Sequence, residues 1–174
     1  SKYLTIADHD DFDVGTGDFT FECFAYWVNS GADNNYDNMF KQGGSFQLAR
    51  QESQEKLYSF TGGNSPSGTA NILVDGRWFH IAFCRHSGTM YAYIDGKLHY
   101  SASETTDLDY STSVVMGSSD GSATWYMDEI RFSINARYPS GTAFSMPTTR
   151  FTNDANTKLL IHSNLSTGGS SYTC

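Results

Sequence analysis

The run Phe19-Thr20-Phe21-Glu22-Cys23-Phe24-Ala25-Tyr26-Trp27-Val28 constrains this chain more than any other stretch. Side chains of a strand point alternately to its two faces, so Phe19, Phe21, Cys23, Ala25 and Trp27 share one side and read as core. The other side carries Phe24, Tyr26 and Val28 besides Thr20 and Glu22. Such a strand is central, and its second face is either covered or lines a partly shielded concavity.

A second centre runs from Trp78 to Arg85, breaks at Ser87-Gly88 and resumes at Thr89 to Ile94, which reads as a hairpin. Asp95-Gly96 follows, a pair that tolerates positive φ at both central positions of a type I′ turn, so Tyr93-Ile94 and Lys97-Leu98 belong to a second tight hairpin. Shorter strands are predicted at Tyr3 to Ile6, Asn38 to Lys41, Phe46 to Arg50, Leu57 to Phe60, Ile72 to Val74 and Val114 to Met116. Trp125 to Phe132 and Lys158 to His162 complete the set. About a dozen short strands punctuated by Gly, Asn, Asp and Ser imply a two-sheet sandwich or a barrel. Asn135 to Thr149 is the longest irregular connection, and Gly62 to Gly68 is a loop tip by composition.

Composition agrees and narrows the partners. Of 174 residues 15% are aromatic and 17% charged, with Gly 16 against Pro 3, which suits pleated surfaces joined by turns. The formal net charge of -8 repels a phosphate backbone and removes the counterion-release term, so nucleic acid is excluded as a partner. No apolar stretch approaches the roughly 18 residues of a membrane helix, so membrane insertion is not expected. Cys23 and Cys84 sit in apolar runs and read as buried free thiols, a Cys23 to Cys84 bridge being the alternative. Ser163 to Cys174 is rich in Ser, Thr and Gly and reads as a tail or linker after one domain over residues 1–162.

The motif order resembles a known family. "GDFTFECFAYWV", "GRWFHIAFCRHSGTMYAYIDGKL" and "YMDEIRFS…ARYPSGTAF" are similar to the laminin-G-like jelly rolls of the concanavalin A-like superfamily, over about residues 3 to 162. The Ala136-Arg137-Tyr138-Pro139 segment with the closing "TKLLIHSN" resembles the version found in tail and other structural proteins of bacteriophages. The resemblance implies an all-β, two-sheet antiparallel jelly-roll sandwich, and a location on a virion or in another extracellular assembly. Such folds host glycan binders, adhesion modules and hydrolases alike, so activity must be argued from a site.

Glycoside hydrolysis requires two carboxylates flanking the scissile bond. The E-x-D-x-x-E strand pattern of the superfamily's hydrolases does not occur here. Asp128 and Glu129 are adjacent, so on a regular strand they face opposite ways, and Glu22 stands alone on its strand. His80 matches the family's strand histidine and reads as a packing or hydrogen-bonding residue. No catalytic residue is expected. A calcium site is the better chemical candidate: four carboxylates lie within Asp8 to Asp13, hard donors of the kind Ca²⁺ takes, and the resemblance implies the late-strand Asp128 as a partner to Asp10. A solvated acidic turn is the alternative.

Sugar binding without chemistry uses exposed rings that stack on pyranose faces, with amides and carboxylates for the hydroxyls. Asn34-Asn35-Tyr36 combines these types in one loop, and Trp125 lies near a strand end. The expectation is a non-catalytic carbohydrate-binding or adhesion module whose partner is a cell-surface glycan. The alternative is a structural or decoration domain contacting virion subunits.

Overall fold

A computed structural model describes residues 3–29, 34–119 and 123–163. Twelve strands run β1 (Leu4–Ile6), β2 (Phe19–Asn29), β3 (Tyr36–Gln42), β4 (Phe46–Gln51), β5 (Lys56–Thr61), β6 (Trp78–His86), β7 (Thr89–Ile94), β8 (Lys97–Ser103), β9 (Val114–Met116), β10 (Ser118–Ser119), β11 (Thr124–Ser133) and β12 (Thr157–Ile161). They pair antiparallel in two sheets. The first has the order β1-β9-β3-β4-β5 with β10 added beside β3, and the second β12-β11-β2-β6-β7-β8. Two three-residue 3-10 turns, at Asp10–Phe12 and Glu52–Gln54, are the helical elements of the described residues. The fold is the two-sheet antiparallel sandwich expected.

Between the sheets lies an aromatic core. Phe19, Phe21, Cys23, Ala25 and Trp27 are fully buried, which makes their side of β2 the inner one. Phe40 of the first sheet stacks on Phe132 of the second, ring centres 5.2 Å apart, and Phe46 meets Phe19 edge-on at 5.4 Å. A register shift between Asn38 and Phe40 sends both Met39 and Phe40 inward, as an extra residue in one strand of a pair does. The predicted hairpin at Asp95-Gly96 is present, with φ of 51° and 73° and Ile94 opposite Lys97. Gly96 has a second reason to be glycine: a Cβ there would lie 2.1 Å from the Phe144 carbonyl oxygen.

Two expectations fail locally. Ile72 to Val74 forms no strand; Ile72 and Leu73 both donate backbone N–H groups to the Glu55 carbonyl, and Leu73 alone turns inward as a plug while Ile72 and Val74 stay exposed. Asp128 and Glu129 do not face opposite ways. The register shifts between Asp128 and Arg131, Glu129 takes φ 50°, and its carboxylate accepts from His162 at 2.8 Å and from the Phe151 N–H at 2.8 Å. Phe151 packs on Phe24, an outward residue of β2, so the bulge brings both carboxylates to the outer side.

The outer side of the second sheet is divided. Over one end lies the irregular segment 134–156, tied down where Thr20 Oγ donates to the Asn135 carbonyl and accepts from the Arg137 N–H. Tyr138 stacks on Phe144 at 3.7 Å, and the Tyr93 hydroxyl donates to the Tyr138 carbonyl. At the other end no described segment lies over the sheet, and Trp78 and Tyr126 are exposed.

Candidate functional site

The outward face of β3, β4 and β5 follows from pairing. Phe46 and Leu48 belong to the core, so Gln47, Ala49 and Gln51 point out. Opposite them stand Lys41, Asn38 and Tyr36 on β3, and Phe60, Tyr58 and Lys56 on β5. The face therefore holds rings, amides and lysines, of which Asn38, like Ala49, is fully buried, its side-chain oxygen accepting from the Gln47 amide. Tyr36 and Tyr58 sit diagonally across it with ring centres 4.6 Å apart, both half-buried. Burial first, and then the neighbouring Tyr36, push the Tyr58 phenol above its ordinary value. A phenol raised in this way stays neutral near pH 7, so the Tyr58 hydroxyl suits hydrogen bonding to sugar hydroxyls.

The predicted loop residues meet this face at its rim. Asn34 is exposed, and its side-chain oxygen accepts from the Ser53 hydroxyl at 2.7 Å. The Asn35 carbonyl accepts from the Glu52 N–H, which anchors the entry into β3 to the turn after β4. Residues 30–33 of the same loop lie outside the described residues. Trp125 goes elsewhere. It stacks on Trp27 at 5.9 Å with planes 12° apart and packs against the core, on the inner side of its sheet. The Trp27 indole N–H in turn donates to Asp37, whose neighbour Tyr36 projects the opposite way.

The two residues expected to share calcium are not assembled into one donor set. Asp10 lines a cleft of about 350 Å³ with Asp11, Asp13, Asp18 and Lys158, and Asp128 is not in its wall. Asp128 Oδ1 accepts from the backbone N–H groups of Glu129 and Ser163, closing the β11 bulge. In the cleft the Lys158 ammonium sits 2.9 Å from Asp11 and already supplies positive charge. Burial, then Asp109, raise the Asp13 carboxyl above its usual range in spite of a hydrogen bond from Gln42. Among the described residues no group of three or more His, Cys, Asp or Glu side chains is placed to hold a metal ion. These donors do not fit the ion as a set.

Glu22 is not alone. Fully buried on the outer side of β2, it accepts from Arg131 Nε and Nη2 at 2.8 and 2.6 Å, from the Tyr138 hydroxyl at 2.7 Å, and lies 3.2 Å from His80 Nε2. Burial by itself would raise its carboxyl. The His80 hydrogen bond, the Arg131 charge and the Tyr138 hydroxyl outweigh that and hold it below the ordinary 4.5. A carboxylate so committed is a structural anchor. Burial also raises the thiols of Cys23 and Cys84, both of which are free.

The aromatic row on the exposed end of the second sheet escaped the reading of the sequence, although Tyr26 was placed on the second face of β2. Tyr26 lies opposite Trp78 of β6 and Tyr126 of β11. The signal was an outward aromatic in each of three strands, legible only once their registers are known.

Comparison with known proteins agrees with this architecture. A family profile described as Concanavalin A-like lectin/glucanases superfamily (Laminin_G_3) matches residues 1–140. Comparison with curated proteins returns no match. Among solved structures, a Bacteroides ovatus protein provisionally assigned as carbohydrate binding is similar at 17% identity and a TM-score of 0.61, over 79% of this chain and 42% of that one. A structure of botulinum neurotoxin type C, whose cell entry depends on two ganglioside molecules, is similar at 12% identity and 0.58, over 77% and 37%. The binding domain of botulinum neurotoxin DC in complex with SialylT is similar at 10% and 0.59, over 77% and 36%. The chain thus spans about two fifths of the solved chains it matches, and at these identities the likeness is one of fold. With the profile covering most of its length and the sandwich in place, the chain belongs to the Concanavalin A-like lectin/glucanases superfamily.

Proposed function

We propose that this domain is a non-catalytic carbohydrate-binding module, with its site on the outward face of β3, β4 and β5. The observation that carries the reading is the composition of that face: the half-buried Tyr36–Tyr58 pair supplies ring surface, and the partly exposed Gln47 and Gln51 flank it with amides. Rings beside a few convergent polar groups are what a sugar requires, with apolar pyranose faces meeting rings and hydroxyls meeting amides. Asn34 and Asn35 extend the amides at the rim. The absence of catalysis is part of the proposal, and it is supported by the state of Glu22, whose oxygens are occupied by Arg131, His80 and Tyr138.

What the structural neighbours bind, gangliosides in one case, agrees with a glycan ligand. The proposal also puts the module on a virion or another extracellular assembly, because the Ala136-Arg137-Tyr138-Pro139 segment resembles that of phage structural proteins.

The test is an array of bacterial polysaccharides and sialylated glycans probed with the full chain. At least one glycan is expected to bind, and Tyr36→Ala or Tyr58→Ala should weaken it tenfold or more with the melting midpoint retained. An array without a hit overturns the reading, as does binding that both folded variants keep.

A further inference from the structure

The exposed end of the second sheet carries Trp78, Tyr26 and Tyr126 side by side on β6, β2 and β11. Ring centres are 5.5 Å apart between Tyr26 and Trp78 and 6.5 Å between Tyr26 and Tyr126. Trp78 is 46% exposed, Tyr126 55% and the neighbouring Val28 50%. Large rings are normally covered, and here three of them form one strip on the surface. Cross-strand aromatic pairing stabilises a sheet by up to about 1 kcal/mol per pair, but that function does not require the rings to face solvent.

From these observations we infer that the row is a second saccharide platform, on the opposite face of the sandwich from Tyr36, for a single extended chain of β-1,4-linked pyranoses. The inference rests on the carbohydrate-binding reading and names a ligand class for a separate surface. Size argues for a small occupant. With aromatic side chains burying about 150–250 Å² each when fully covered, these exposures amount to about 300–400 Å², against roughly 800 Å² per partner in a specific protein interface. A patch of this size is also in the range where surface apolar areas are functional.

Shape argues for the linkage. Adjacent strands lie about 4.8 Å apart, so the row runs straight across three of them, and a β-1,4-linked chain is itself a straight ribbon of alternating rings. An α-linked helical chain curves away from such a row. The planes are tilted by 51° and 42° between neighbours, more than the roughly 20–25° by which strand twist turns adjacent strands. A flat crystalline face meets only one of them, whereas a single chain can turn about its linkages to follow. Polar groups are at hand: among the described residues no intrachain hydrogen bond engages the Tyr26 or Tyr126 hydroxyl. Asp128, two residues along β11 on the same side, uses Oδ1 for backbone N–H groups and presents Oδ2 to a sugar hydroxyl.

Calorimetric titration of the full chain with cellohexaose, xylohexaose and chitohexaose, with maltohexaose as the α-linked comparison, tests this. At least one β-1,4 hexasaccharide should bind, at least tenfold tighter than maltohexaose, with the Tyr26 and Tyr126 ring resonances shifting in the wild-type protein. Trp78→Ala and Tyr126→Ala should each weaken it tenfold or more, Trp78→Phe should recover most of the affinity, and Tyr36→Ala should leave it unchanged. Wild-type affinity in the folded row variants overturns the inference, as does unshifted ring resonances or no binding of any of the three. An array glycan lost with Tyr36→Ala but kept by Trp78→Ala, with these hexasaccharides silent, sinks this inference and leaves the proposed function standing. An array without any hit, with the three hexasaccharides silent as well, sinks both.

Discussion

The two ends of the outer face of β2 are built from the same strands and face the same way, yet they do opposite things. At one end Thr20 and Glu22 are fully buried under the segment 134–156, and a carboxylate, a guanidinium, an imidazole and a phenol are locked into one network. At the other end Tyr26 and its neighbours Trp78 and Tyr126 meet solvent. Polar groups are inside and apolar rings outside, the reverse of the usual partition. The comparison teaches that the covering segment, and not the hydrophobicity of each position, decides what an outward residue does. Under cover, a charge must be fully paired; in the open, a ring is free to bind.

The contrast can be broken most sharply at Glu22. Glu22→Ala leaves Arg131 and His80 without their buried acceptor, and uncompensated charge in such a site costs about 3–5 kcal/mol. Urea unfolding should show that loss, and a change below about 1 kcal/mol would mean that the covered end is not held by this network.

The pH dependence should come from the same carboxylate. Its folded pKa lies below the ordinary 4.5, so its contribution is complete above the unfolded value and is lost as pH falls below 4.5 through the folded value. The stability difference between wild type and Glu22→Gln should therefore be constant near neutrality and shrink in acid. A difference that widens in acid contradicts the assignment.

Tyr138→Phe removes one hydrogen bond to the carboxylate while keeping the ring on Phe144, and should cost about 2 kcal/mol. Its measurement separates the polar hold of the segment from its stacking.

Smallest is Trp78→Ala at the open end, expected to change unfolding stability by no more than about 1 kcal/mol. A loss as large as that of Glu22→Ala would show the row to be structural, and would remove the contrast between the two ends.

Much of this architecture was legible residue by residue. The inner set of β2, the Asp95-Gly96 hairpin and the irregular stretch after β11 could be read because alternation and turn chemistry are local. Ile72 to Val74 misled because three apolar residues in a row look like a strand, while the actual demand there is for one plug at Leu73. Glu22 looked solitary because its partners stand far along the chain, at separations of 58 residues for His80, 109 for Arg131 and 116 for Tyr138. Asp128 and Glu129 were expected on opposite sides because a bulge breaks alternation without leaving a mark in composition. For the candidate site, the Asn34-Asn35-Tyr36 loop was visible by residue type, but Tyr58 joined it only through the pairing of β3, β4 and β5, and Trp125 left it by stacking on Trp27.

The order of residues alone established an all-β chain, its central strand and the side of that strand that forms the core, since a period of two needs only neighbours to express itself. Which outward residues are roofed and which stay open was settled by where the segment 134–156 comes to rest on the sheet. That is a long-range matter, fixed by the Thr20, Glu22 and Tyr93 contacts that hold the segment down, and no local pattern encodes it.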